Sequence, residues 1–268
     1  METCYRHPDR ETGVSCSSCG RPICPDCMTP TPVGMRCPEC SKDRTKVRTI
    51  SSVGDEPVVT YILIAINVLA FLGSAASGGD VGLGGTGGSV ISNGALFGPS
   101  IAIDHEYWRL VTSGFLHIGP IHLLFNMMAL WVLGRDVEMV LGRGRFLALY
   151  VISLLGGAAA VMLFYAPDES VAGASGAVFG LMGGLAVVLK RLRVPAGQVI
   201  GLIAVNVAIS VLIPGISLIG HLGGLVVGAA ATAALVYAPA NRNQSRVQVA
   251  ALGALTLLVL AVIAVTSL

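Results

Sequence analysis

The chain has 268 residues, 17 Lys+Arg against 15 Asp+Glu, and 54% hydrophobic residues. Only 12% of the residues are charged, where a soluble domain has about 25%, and a net charge of +2 is too small to attract nucleic acid. An ordinary soluble enzyme is thereby excluded. Half of the charged residues fall within residues 1–56 and the rest are scattered downstream, so the first segment suits water and the remainder suits lipid. All seven cysteines lie between Cys4 and Cys40, which leaves no disulfide for the apolar part. The first apolar run begins near Pro57 after polar sequence; no secretory signal is expected, and the N-terminus is expected in the cytoplasm.

The head, residues 1–44, reads Cys4-x-x-His7, Cys16-x-x-Cys19, Cys24-x-x-Cys27 and Cys37-x-x-Cys40. Eight ligands in four complete pairs predict two tetrahedral zinc sites. Four protein ligands close each site, so the zinc is expected to be structural, and a segment this short needs metal for most of its folding free energy. A protein partner is the expected ligand of this module. The pattern resembles a B-box-type zinc finger, and that resemblance implies that the first pair shares a metal with the third and the second with the fourth. Spacing alone leaves sequential pairing open. Residues 45–56 form a basic linker.

From Val58 onward, apolar stretches near 20 residues alternate with short charged connections, the pattern of helices that cross a bilayer. Seven spans are predicted, over 57–76, 117–133, 146–166, 174–189, 197–213, 216–237 and 247–267. Pro214 and Gly215 interrupt a long uncharged run and predict a tight turn between two helices, because lipid cannot satisfy an irregular backbone. Lys42, Arg44, Lys46 and Arg48 precede the first span; Arg135, Arg143 and Arg145 follow the second, Lys190, Arg191 and Arg193 the fourth, and Arg242 and Arg246 the sixth. The opposite connections hold only Arg109. By the positive-inside rule the N-terminus is cytoplasmic and the C-terminus outside, in keeping with reduced cysteines in the cytosol. Residues 77–116 form a long connection; its Gly/Ser-rich first part (Ser77–Ser89) is expected to be flexible and the part from Gly94 to His117 ordered.

Ionisable residues inside spans are costly and point to function. His122 and Asn126, four apart, share a face of the second helix; Ser175 opens the fourth span, and His221 lies one turn into the sixth. The predicted orientation puts all of them within roughly 10 Å of the outer helix ends. Gly176, Gly180 and Gly184 recur every four residues after Ser175, and Gly220, Gly224 and Gly228 do so around His221. Such ridges let two membrane helices approach closely, which predicts Ser175 and His221 within hydrogen-bond reach. Imidazole suits the activation of a serine hydroxyl near neutral pH, and His122, Asn126 and the Ser175 N–H are suitable oxyanion donors. No acid is placed to orient His221, so a dyad is expected, with Phe179 stacked on the imidazole. His117 is expected to order the loop or the site, and Asn206 to serve helix packing.

These motifs, with Trp108-Arg109 in the first connection, resemble the rhomboid family of intramembrane serine proteases over about residues 57–238. The resemblance implies an all-α, six-helix membrane bundle, with 239–268 adding a seventh helix. It also implies Ser175 as nucleophile, His221 as base, His122 and Asn126 in the oxyanion hole, a cavity open to the extracytoplasmic side, and access for substrates past the fifth span. Phe179 stands where relatives often carry tyrosine. The implied substrates are transmembrane proteins cut in or near their membrane segment, and the implied location is the plasma membrane. Two readings compete: an inactive relative that binds transmembrane segments, and a His-lined transporter. A transporter would carry a charged or broken helix at the midplane, and neither is legible in the sequence.

Overall fold

The computed structural model describes residues 2–31, 34–42, 56–78, 88–164 and 170–267. The chain divides into two units, Met1–Gly54 and Asp55–Leu268. The Lys42 side chain, Arg44, Lys46 and Arg48, on which part of the orientation rests, lie outside the described residues, as do residues 79–87 of the Gly/Ser stretch.

In the first unit β1 (Glu2–Thr3) pairs antiparallel with β2 (Glu11–Thr12), β3 (Thr29–Thr31) pairs with β4 (Gly34–Arg36), and the short helix α1 (Pro38–Lys42) follows. Its buried cluster consists of Cys4, Cys16, Ile23, Cys24, Cys27 and Cys37. Ile23 is the single aliphatic member, so the residues that would form a core are the same ones that could hold metal.

The second unit is helical. It opens with α2 (Val58–Ala76), which runs to the turn at Ser77 and Gly78. In the first connection helix is already present at Gly88, ahead of the Gly94 expected: α3 (Gly88–Gly94), β5 (Leu96–Phe97), α4 (Gly98–Ala102) and α5 (Arg109–Thr112) precede a single helical turn, Ser113–Phe115. Next come α6 (Pro120–Ala129), a π turn (Leu130–Gly134) and α7 (Arg135–Leu141), then α8 (Arg143–Phe164), β6 (Ser170–Val171), α9 (Ser175–Leu192), α10 (Gly197–Leu212), α11 (Leu218–Val236) and α12 (Gln244–Thr266). β6 pairs antiparallel with β5.

All seven predicted helices are present, with two departures. Among the described residues α2, α8, α9, α11 and α12 are each long and apolar enough to cross a membrane, and Pro120–Leu141 qualifies as one bent pair with Arg109–Phe115, at an angle of 91°. The second helix therefore continues past Leu133 through the π turn and carries Asp136 and Glu138. α10 has 16 residues, roughly 24 Å, shorter than a typical hydrocarbon core of about 30 Å. Between α10 and α11 the chain turns at Gly215, whose φ of +83° suits glycine.

The centre of the bundle is α9 against α11, with α8 across both. A Cβ added at Gly224 would collide with the Gly176 carbonyl, and one at Gly228 with the Gly180 backbone. One at Gly157 of α8 would lie 2.9 Å from the Gly220 carbonyl. Backbone packs on backbone here, as the glycine spacing predicts.

Candidate active site

Ser175 is the first residue of α9 and His221 lies in the first turn of α11. The glycine contacts bring these two helix starts together, and His221 Nε2 stands 2.7 Å from Ser175 Oγ. Phe179, one turn along α9, stacks on the imidazole with ring centroids 4.2 Å apart and planes 13° apart. α11 is capped by Ser217, whose hydroxyl accepts from the Gly220 N–H at 3.1 Å, so the turn that carries His221 is anchored at its start.

The other two candidates sit on α6, whose first residue is Pro120. His122 lies over Gly173: a Cβ built there would be 2.9 Å from the His122 ring and 3.5 Å from Ser175 Oγ. Gly173 has φ +142°, and its N–H donates to the Ser113 carbonyl at 2.9 Å. Only glycine fits this bend and this proximity. Asn126 is buried and donates one amide hydrogen to the His122 carbonyl at 3.0 Å, which leaves its second hydrogen for another acceptor. His117 is buried and meets His122 edge-on, centroids 5.1 Å apart, so it braces that ring. The first intrahelical bond of α9 runs from the Val178 N–H to the Ala174 carbonyl; the N–H of Ser175 precedes it at the positive end of the helix. A cleft reaches the Ser175 and His221 side chains over Gly157, Ala158 and Gly176, with Leu154 and Val161 on its walls.

One contact was not legible in the sequence. Ser210, near the end of α10, places Oγ 2.7 Å from His221 Nδ1, and the same hydroxyl lies 2.7 Å from the Asn206 carbonyl. Asn206 itself donates to the Leu202 carbonyl of its own helix at 2.9 Å. His105 is exposed and stacks on Tyr107.

The first connection is held by Arg109. Its Nη1 donates to the carbonyls of Ser92 and Ala95 at 2.8 and 2.9 Å, and its Nε to Glu106 at 2.5 Å. Trp108 is exposed but donates to the Asn93 carbonyl at 3.1 Å. The pair thus ties α3 to α5 and leaves an indole on the surface.

In the head, Cys4, His7, Cys24 and Cys27 converge in one group and Cys16, Cys19, Cys37 and Cys40 in another, with all ligand atoms of a group within 4.8 Å of one another. The pairs interleave: first with third, second with fourth. His7 Nδ1 stands 3.3 Å from Cys24 Sγ and 3.5 Å from Cys27 Sγ, and Cys19 and Cys37 sulfurs are 3.8 Å apart. A tetrahedron with Zn–S of about 2.3 Å needs edges of about 3.8 Å, so both groups fit a metal of that size. The Cys37 N–H points at Cys16 Sγ at 3.3 Å and lowers that thiol to about 6, against the desolvation that raises it. A thiolate is the form that binds metal.

The Rhomboid domain family matches residues 104–239. The rhomboid protease GluP of Bacillus subtilis is 38% identical over 185 residues, which cover 67% of this chain and 35% of GluP. The putative rhomboid protease YdcA of the same organism is 33% identical over 178 residues, 64% of this chain and 85% of YdcA. This chain belongs to the rhomboid family. The rhomboid match takes in His122, Asn126, Ser175, Ser210 and His221, whereas the head, α2 and α12 lie outside it. A further relative, the rhomboid protease AarA of Providencia stuartii, is 29% identical over 180 residues, 55% of this chain and 64% of AarA. The chain spans about a third of the length of GluP. Membership in the rhomboid family and the apolar helices make it an integral membrane protein.

Proposed function

We propose that this protein is an intramembrane serine endopeptidase that hydrolyses a peptide bond in or near the transmembrane segment of another membrane protein. The observation that carries the reading is the 2.7 Å approach of His221 Nε2 to Ser175 Oγ at the N-terminus of a helix, within a rhomboid fold. His221 takes the hydroxyl proton as Ser175 Oγ bonds to the scissile carbonyl carbon. The oxyanion is received by the Ser175 N–H, the second Asn126 amide hydrogen and His122. His221 then gives its proton to the leaving amine, and a water activated by the same imidazole releases the acyl group from Ser175. The narrow cleft beside Gly157 and Ala158 favours a small side chain next to the cut bond, and such a bond must first leave its helix to reach Ser175.

Ser175, His221, His122 and Asn126 are the residues assigned to the chemistry. Cys4, His7, Cys24 and Cys27 would hold one zinc, and Cys16, Cys19, Cys37 and Cys40 the other; these ions serve the fold of the head, which offers a surface to a protein partner. On this reading the N-terminus lies in the cytoplasm and the site on the extracytoplasmic side of a plasma membrane, an orientation supported by the positive-inside rule applied to the basic connections.

The test uses the full chain in detergent or nanodiscs. A fluorophosphonate probe and a transmembrane reporter substrate are applied to wild type, Ser175→Ala and His221→Ala. Wild type is expected to be labelled at Ser175 and to cut the reporter; both variants are expected to do neither while keeping the wild-type melting profile. Cleavage by folded Ser175→Ala, or attachment of the probe at another residue, overturns the assignment.

A further inference from the structure

Ser210 is one of two buried residues on α10, the other being Val199. A buried hydroxyl on an otherwise apolar helix needs its hydrogen bonds accounted for. Its oxygen lies 2.7 Å from two atoms, His221 Nδ1 and the Asn206 carbonyl oxygen. A carbonyl oxygen can only accept, and a serine hydroxyl has one hydrogen to give. If that hydrogen went to Nδ1, the lone pairs of two oxygens would face each other at 2.7 Å with no hydrogen between them. The hydrogen therefore goes to Asn206, and the Ser210 oxygen must accept from Nδ1–H. Neutral imidazole carries one hydrogen, so Nε2 is left with its lone pair turned to Ser175.

We infer that Ser210 is a positioning residue, which holds His221 in the Nδ1–H tautomer that can act as base toward Ser175. The inference rests on the serine-peptidase reading for its catalytic meaning, but the tautomer itself can be observed without it. No carboxylate bonds His221 among the described residues, so the neutral hydroxyl takes the orienting task that an acid performs in a triad. The bonds run in one direction, from Ser175 O–H to Nε2, from Nδ1–H to Ser210, and from Ser210 O–H to the Asn206 carbonyl, so each polarises the next. When Ser175 gives up its proton, the imidazolium still has its Nδ1–H bond to Ser210, and that bond strengthens as charge develops. Ser210 touches no reacting atom; it acts through the imidazole.

The experiment compares wild type, Ser210→Ala and Ser210→Thr as full chains in nanodiscs. The first readout is the second-order rate of fluorophosphonate attachment to Ser175. The second is the pair of 15N shifts of His221 in protein labelled on its five histidines, assigned by the signals that vanish in His221→Gln. Wild type is expected to show protonated Nδ1 and unprotonated Nε2. Ser210→Ala is expected to show mixed tautomers and a rate about tenfold lower, the value of one hydrogen bond; Ser210→Thr, which keeps the hydroxyl, is expected to restore both. A wild-type His221 protonated on Nε2 overturns the inference without reference to any variant. Slower labelling in Ser210→Ala with an unchanged tautomer also overturns it, since that marks a packing role. Absence of labelling in wild type instead removes the peptidase reading and leaves the tautomer to be decided by the shifts.

Discussion

Two residues beside Ser175 and His221 show how much of the geometry of that pair is held by shape. Phe179 covers one face of the His221 ring at a centroid distance of 4.2 Å, and a stacked aromatic contributes about 0.5–1.5 kcal/mol beyond its area. Phe179→Leu, which keeps the volume and loses the ring face, is expected to slow fluorophosphonate labelling of Ser175 by roughly two- to tenfold, and Phe179→Tyr to leave it near wild type. Equal rates for all three would show that the ring face does not orient the imidazole. Gly173 is less forgiving. At φ +142° with the His122 ring 2.9 Å from any added Cβ, Gly173→Ala must strain the backbone, at a cost of about 1–3 kcal/mol, and push His122 aside. A loss of labelling of about tenfold or more is expected, with a melting temperature lower by a few degrees; an alanine variant as fast as wild type would mean that His122 does not need its observed place. The meeting of Ser175 and His221 was legible because each lies in the first turn of a helix next to a glycine ridge, and the ridges dictate which helices meet. Ser210 was not. A serine in an apolar helix is ordinary, and its partner lies across a turn whose geometry no local pattern specifies.

The helices themselves were legible from the alternation of apolar stretches and charged connections, but their ends were not. The second helix was expected to stop at Leu133, ahead of Arg135 and Asp136, because charges normally mark the membrane boundary. Instead a π turn carries it to Leu141 and delivers Glu138 to the start of α2. There the buried carboxylate accepts from the backbone N–H groups of Val59 and Thr60 at 3.0 and 2.8 Å and from the Thr60 hydroxyl at 2.7 Å. The first N–H groups of any helix lack partners within it, and an anion at that end also meets the positive pole of the helix. A residue 78 positions away supplies this cap, which is why it escapes a reading based on neighbours in sequence. Glu138→Ala leaves the donors of α2 unpaired and is expected to destabilise the bundle by about 2 kcal/mol or more, seen as a lower melting temperature in detergent. Glu138→Gln, with one accepting oxygen and no charge, should fall between. A Glu138→Ala variant that melts with wild type would mean that water satisfies the start of α2. Gly88 and Ser89 were misjudged for a similar reason: they read as linker residues, yet they open α3, which Arg109 holds by the Ser92 carbonyl.

At the scale of the whole chain, composition alone separated a polar head from an apolar body, and the two units fall on either side of residue 54. What spacing left open in the head was the pairing of its ligands, because a two-residue gap fixes only which residues act together and not which pairs meet; the fold of the intervening strands decides that, and it interleaves them. On the zinc reading proposed above, the two units draw their stability from different sources. In the body, helices are held by close packing and internal hydrogen bonds that lipid cannot replace. In the head, with Ile23 the one aliphatic residue of the buried cluster, there is little apolar area to oppose chain entropy, and metal binding of the order of 10–16 kcal/mol is what structural zinc sites contribute to such segments. Metal analysis of the purified full chain is expected to find two zinc ions per molecule. A strong chelator should release both and make the segment between Cys4 and Cys40 sensitive to a soluble protease, while fluorophosphonate labelling of Ser175 stays within about twofold of its starting rate, since no ligand of either group belongs to the helical unit. If labelling falls in parallel with zinc release and returns when zinc is restored, the head controls the helical unit directly. If the head resists protease after the metal is gone, its fold has another source and the zinc assignment fails.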